Sequence, residues 1–173
     1  MSWRNEILAV ASVVVSLASS VNAYDFGRPA TSEEIKLWDI DVRPDGKGLP
    51  EGSGTVARGK SVYAENCEAC HGPNGQGGIK DRLVGGQGSL ATDNPIKTVG
   101  SYWPYATTLF DYVHRAMPWD RPKSLTDDEV YAVSAYILNL NGIIGANDVM
   151  DAQSLPKVAM PNREGFLTFA RGK

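Results

Sequence analysis

Apolar residues recur with the period of an amphipathic helix in three stretches of the chain. Between about Thr55 and Cys67, Gly59, Val62 and Tyr63 are the contact residues. In TTLFDYVHRA, residues 107–116, Leu109, Tyr112, Val113 and Ala116 do the same. The third stretch is the best signed. Thr126-Asp127-Asp128-Glu129 reads as a capping box, with Leu125 and Val130 at the flanking staple positions. Two acids in its first turn suit the helix dipole. Val130, Val133, Ala135, Ile137, Leu138 and Leu140 form its apolar side, and Gly142 lies just past its end. Met117-Pro118 closes the second helix, because the residue before a proline is pushed out of the helical region. The pattern predicts an all-α fold.

The flanks read differently. Residues 24–54 hold a short helix signal, Thr31-Ser32-Glu33-Glu34, then Trp38, then the turn-rich run RPDGKGLPEGSG. Residues 143–173 include LPKVAMPNREGF, apolar and proline-bearing. Both flanks are too apolar in places for plain linkers and are expected to wrap the core as extensions. At the start, Arg4 precedes an apolar run from Ile7 to Val21, and Val21-Asn22-Ala23 is a small-x-small cleavage site. This predicts a signal peptide over 1–23 and an exported, periplasmic chain from Tyr24. The alternative is an uncleaved anchor, but the run is shorter than the roughly 18 or more residues of a spanning helix. No later segment is apolar enough to span. The expected division is therefore 1–23, 24–54, 55–142 and 143–173.

Composition narrows the class. The chain has 173 residues, 42% hydrophobic and 21% charged, with a net charge of -3. That suits one globular domain with extensions and a real core. It argues against nucleic acid as a partner, which would need a basic face.

The chemistry sits in ENCEACHG. There are two cysteines, Cys67 and Cys70, followed by His71. In an exported chain they could form a disulfide. A thioredoxin-like pair would want a βαβ context, which is missing here, and a structural zinc would need two further ligands. Cys-x-x-Cys-His is the attachment pattern of haem c. Two thiols add to the two vinyl groups, and the next residue places an imidazole at the iron. Seven glycines between Gly72 and Gly88 let the backbone run close to a flat ligand. One covalent haem c is expected, held by Cys67, Cys70 and His71.

The other axial position decides between carrier and enzyme. A histidine–methionine pair suits electron transfer; an open iron would allow ligand binding or peroxide chemistry. VHRAMPW, residues 113–119, offers His114 and Met117. Met117 leaves a helix on an extended segment, 46 residues after His71, where a side chain can point across at a flat ligand. His114 shares its helix with core-facing residues. Met150 and Met160 follow the last helix and fit poorly. Nearby, Tyr102 and Trp103 flank Pro104. Aromatics with one apolar and one polar end suit propionate or haem-wall contacts, and simple core packing would use them equally.

Gly59, Tyr63, Cys67-x-x-Cys70-His71-Gly72, then Ala116-Met117-Pro118 and a C-terminal amphipathic helix, together resemble class I cytochrome c. The resemblance implies that Met117 is the sixth ligand and that the first and last helices cross at Gly59, Tyr63 and Tyr136. Many class I cytochromes also carry a proline about a dozen residues after the haem histidine, whose carbonyl accepts the histidine N–H. Here Arg82-Leu83 stands near that place, and the sequence names no replacement. A narrower similarity runs through FGRPATSEEIKLWDIDVRPDGKGLPEGSGTVARG, TVGSYWPYATTLFDYVHRAMPW, SLTDDEVYAVSAYILNLNGI and MPNREGF. These segments are similar to the monohaem cytochrome subunits of bacterial sulfite dehydrogenases and to the haem domain of the sulfur dehydrogenase cytochrome of thiosulfate oxidation. That resemblance implies a chain that is no enzyme on its own. It would accept electrons from a molybdenum-containing sulfite dehydrogenase subunit and pass them to a downstream cytochrome c. The competing expectations are a general electron shuttle with an unrelated donor, and a haem enzyme or sensor with an open iron.

Overall fold

The computed structural model describes residues 27–166; the leader expected at 1–23 lies outside them. The chain divides into two compact units, one ending at Asp39 and one beginning at Ile40. In the first, Thr31 caps the short helix α1 (Ser32–Lys36) through a complete capping box with Glu34. Arg28 grips the Glu34 carboxylate at 2.5 and 2.8 Å and holds it down to about pKa 2. Ile35, Leu37 and Trp38 are exposed.

The second unit is built on four helices: α2 (Val56–Asn66), the one-turn α3 (Glu68–His71), α4 (Ala106–Ala116) and α5 (Asp127–Leu140). The three long ones fall within a residue of the stretches read from periodicity. Thr126 caps α5 with the expected box, its hydroxyl accepting from Glu129 N–H and Glu129 reaching back to Thr126 N–H. α5 is buried along its whole middle, Val130 to Leu138. α2 crosses it where Gly59 meets Ala132 and Tyr136. A methyl at Gly59 would stand 1.9 Å from the Ala132 carbonyl oxygen, so only hydrogen fits. The Tyr63 and Tyr136 rings close the crossing with centroids 5.3 Å apart. α4 packs on α5 through Leu109, Phe110 and Val113, with the Phe110 and Tyr131 rings 4.5 Å apart.

The all-α expectation needs one correction. Ser53–Thr55 (β1) and Val149–Asp151 (β2) pair antiparallel, with Gly54 opposite Met150. Each strand is only three residues long, and β1 begins in the last two residues of a run that reads as turn, so no alternation betrays the pair. The flanks supply further contacts. Met150, Leu155, Val158 and Met160 are buried in the same core as the helices. Tyr131 donates its hydroxyl to Pro50 O at 2.8 Å, and Val42 N–H donates to the Asp111 carboxylate at 3.0 Å. Arg115 joins Asp41 to Asp111.

Candidate functional site

The attachment motif straddles the joint between α2 and α3. Cys67 N–H still donates to Tyr63 O, and the N–H groups of Cys70 and His71 both donate to Cys67 O at 3.1 and 3.0 Å. One tight turn therefore sets Cys67, Cys70 and His71 relative to one another. Both thiols are free. Burial, with Cys70 adding to it, pushes the Cys67 thiol up to about 11. Such a thiol stays protonated at neutral pH, unlike the low-pKa thiolate of a redox-active pair. Among the described residues, no cluster of three His, Cys, Asp or Glu side chains could hold a bare metal ion.

The glycine-rich loop turns back onto the motif. Gly77 N–H donates to His71 O at 2.8 Å, and Lys80 N–H to Cys70 O at 3.0 Å. Gly72 makes the first turn at φ +80°, where a side chain would be strained and would meet Gly77 O at 2.7 Å. Tyr63 pins the same turn by donating its hydroxyl to Gly72 O at 2.8 Å. The loop then brings Asp81 O to 2.7 Å from His71 Nδ1. With Nδ1–H donating to that carbonyl, Nε2 is the lone-pair nitrogen left for a metal. Asp81 thus fills the place for which the sequence named no residue, and it was missed because any residue carries a carbonyl. Asn141, just after α5, was missed as well. It accepts from Gly85 N–H and donates to Leu83 O, both at 3.2 Å, and so ties the loop to the last helix.

Met117 caps α4 in the extended conformation expected before Pro118, at φ -120° and ψ 146°. Like Cys67, Leu83 and Trp103, it is partly buried against the core. Two contacts draw its loop toward the attachment motif. Arg121 donates to the Asn66 side chain at 3.2 Å, beside Cys67, and the Lys80 ammonium stands 5.5 Å from the Trp119 ring. His114 is engaged elsewhere, its Nε2 lying 3.3 Å from an Asp127 carboxylate oxygen. Met150 and Met160 are buried beside the flanking segments. Trp103 meets the Tyr112 ring edge-on at 5.8 Å. Tyr102 lies in a cleft with Lys97 and Phe166, and its carbonyl accepts from Asn162 at 2.7 Å. The structure therefore brings Met117 toward the Cys-x-x-Cys-His turn and puts Tyr102 beside the C-terminal segment.

The donor set fits haem c. Two free thiols stand one turn apart, an imidazole is oriented by its carbonyl partner with Nε2 left over, and a thioether lies on an adjoining loop. Residues 56–141 match the Cytochrome c family. The chain is 44% identical to the solved structure of the sulfane dehydrogenase SoxCD from Paracoccus pantotrophus, with a TM-score of 0.80, covering 86% of this chain and 74% of that one. A thiosulfate dehydrogenase of Psychrobacter arcticus is 28% identical over 114 residues, 64% of this chain and 35% of that protein. A cbb3-type cytochrome c oxidase subunit CcoP of an Azospirillum species is 35% identical over 119 residues, 65% of this chain and 37% of that protein. The chain thus spans little more than a third of these two relatives. It belongs to the cytochrome c family and carries covalently attached haem c.

Proposed function

We propose that this chain is the electron-transfer partner of a sulfur-compound dehydrogenase. It takes electrons from a molybdenum-containing sulfite dehydrogenase subunit, or one acting on a similar sulfur compound, and hands them to another cytochrome in the periplasm. The observation that carries this is the 44% identity to SoxCD over 86% of the chain. That likeness extends beyond residues 56–141, the part matched by the cytochrome c family, into segments a general carrier does not need. Similarity to the oxidase subunit CcoP favours a second reading, a shuttle without a dedicated dehydrogenase. Among the described residues, no helix is long and apolar enough to cross a membrane.

When bound, the haem supplies a reversible one-electron change at its iron. The residues hold it in the following roles. Cys67 and Cys70 carry the two thioether links. His71 would hold the iron through Nε2, kept in orientation by the Asp81 carbonyl, and Met117 would hold it through its thioether sulfur. A neutral thioether there would raise the potential and keep small ligands from the iron. Trp103 and Tyr102 are haem-wall or propionate contacts. For Trp103 the support is its partly buried place against the core, and Trp103→Phe is expected to shift the reduction potential or weaken haem retention. Residues 1–23 are the export leader, 55–142 the cytochrome domain, and 24–54 and 143–173 its extensions, of which 40–54 and 143–166 wrap on it. Buried Leu155 and Met160 and the Tyr131–Pro50 bond support the wrapping.

The test is a mild affinity isolation of the C-terminally tagged chain from the exported fraction. Co-purifying molybdenum, with haem reduction on adding sulfite, is the expected result. A clean haem protein that sulfite leaves oxidised would favour the general shuttle.

A further inference from the structure

His114 has no part in the site described above, yet its side chain reaches from the last turn of α4 to the first residue of α5. We propose that His114 is a positioning residue: resting on Met117 as the sixth ligand, it locks the base of the loop that delivers that ligand. His114 stands three residues before Met117, in the last turn of α4. Its Nε2 lies 3.3 Å from Oδ1 of Asp127, the first residue of α5. Between them lie the last two residues of α4 and the loop 117–126 that carries Met117. One side-chain pair therefore joins the two feet of the ligand loop.

The pair is placed to hold. The His114 side chain is 21% exposed and that of Asp127 42%, so the pair is sheltered on the imidazole side and open on the carboxylate side. The Phe110 ring, one turn earlier, lies 5.7 Å from the imidazole centroid and fixes its plane. Nδ1 is buried without a partner, which leaves the close approach of Nε2 to the Asp127 carboxylate as the ring's polar anchor among the described residues. Besides Met117 and Leu125, which pack against the core, the other side-chain ties of the loop are peripheral. Arg121 to Asn66 and Lys80 to Trp119 both lie at the exposed side. A neutral thioether brings no charge to its bond with the iron, so its hold depends on being delivered in place. Freeing the base of the loop lets Met117 sample positions off the iron, while the helices that the core holds stay packed.

The experiment compares the ferric holoprotein with His114→Leu, His114→Gln and Asp127→Asn. Three readouts are followed: the far-red methionine–iron charge-transfer band, the affinity for added imidazole, and the urea midpoint of helix loss. His114→Leu is expected to bind imidazole about fivefold tighter, the scale of one close polar contact, and to lose the band at lower urea than the helices. His114→Gln, whose amide N–H reaches the same carboxylate, is expected to restore most of both. Asp127→Asn keeps the imidazole packing and is expected to move both readouts in the direction of His114→Leu, which covers the case in which His114→Leu fails to fold. Imidazole affinity within twofold of wild type in both His114→Leu and Asp127→Asn, with the band lost only at global unfolding, overturns the role of His114. A wild-type protein without the far-red band instead overturns Met117 as ligand, and the role of His114 with it.

Discussion

Tyr63 shows how one side chain serves both core and site. Its ring closes the crossing of α2 on α5, and its hydroxyl holds the first turn after the haem histidine. Burial pushes the Tyr63 phenol up to about 12, and burial does the same to Tyr131, which donates to Pro50 O. In both cases the folded state favours the neutral phenol over its ordinary value of 10. The stability linked to these groups is therefore complete below pH 10 and is lost as the pH rises from 10 through 12. Urea melts across that window are expected to show the holoprotein weakening, and Tyr63→Phe or Tyr131→Phe to flatten the decline. A decline unchanged in both variants would assign it to other groups. At this scale the sequence was informative wherever a side chain does the chemistry. Cys67, Cys70 and His71 announce themselves by spacing. Asp81 does not, because it acts through its backbone carbonyl and only the folded loop shows which carbonyl arrives at Nδ1. Asn141 was hidden for the same kind of reason: its partners, Gly85 and Leu83, are more than fifty residues away.

Among the elements, the crossing of α2 and α5 is the contact that tolerates least. The Ala132 carbonyl would lie 1.9 Å, and the Tyr136 Cβ 2.8 Å, from a methyl at Gly59. Gly59→Ala forces the helices apart at the point where α2 runs on into the attachment turn. A loss of about 3 kcal/mol or more is expected, at the upper end of overpacking costs, together with poorer haem attachment during expression. Denaturant melts and the haem-to-protein absorbance ratio measure the two effects, and a variant with wild-type values in both would contradict the close crossing. The long helices were legible because each carries a full period of apolar residues and recognisable ends: a capping box at Thr126 for α5, Met117-Pro118 for α4. The β1–β2 pair was not. Gly54 sits between a serine and a threonine, and its reason for being there is the Ala132 N–H group, 2.0 Å from where its Cβ would be.

Over the second unit as a whole, the stretch from Met150 to Met160, beyond the residues matched by the family, supplies side chains to the packed core. Leu155, fully buried, and Met150, Val158 and Met160 share the core of the helices. Leu155→Ala is expected to cost about 2–5 kcal/mol in a denaturant melt, the range for emptying a well-packed site. A cost near zero would make the C-terminal segment a docking element only. With the scaffold so fixed, the distinction between a carrier and a haem enzyme comes down to whether Met117 closes the iron. The direct measurement is the far-red absorption of the ferric holoprotein and the carbon monoxide affinity of the ferrous one, wild type against Met117→Ala. The expected result is a wild-type band with negligible carbon monoxide binding, and a variant that loses the band and binds the gas. A band unchanged in Met117→Ala, with a native iron that takes up carbon monoxide readily, would contradict the assignment of this chain as an electron carrier.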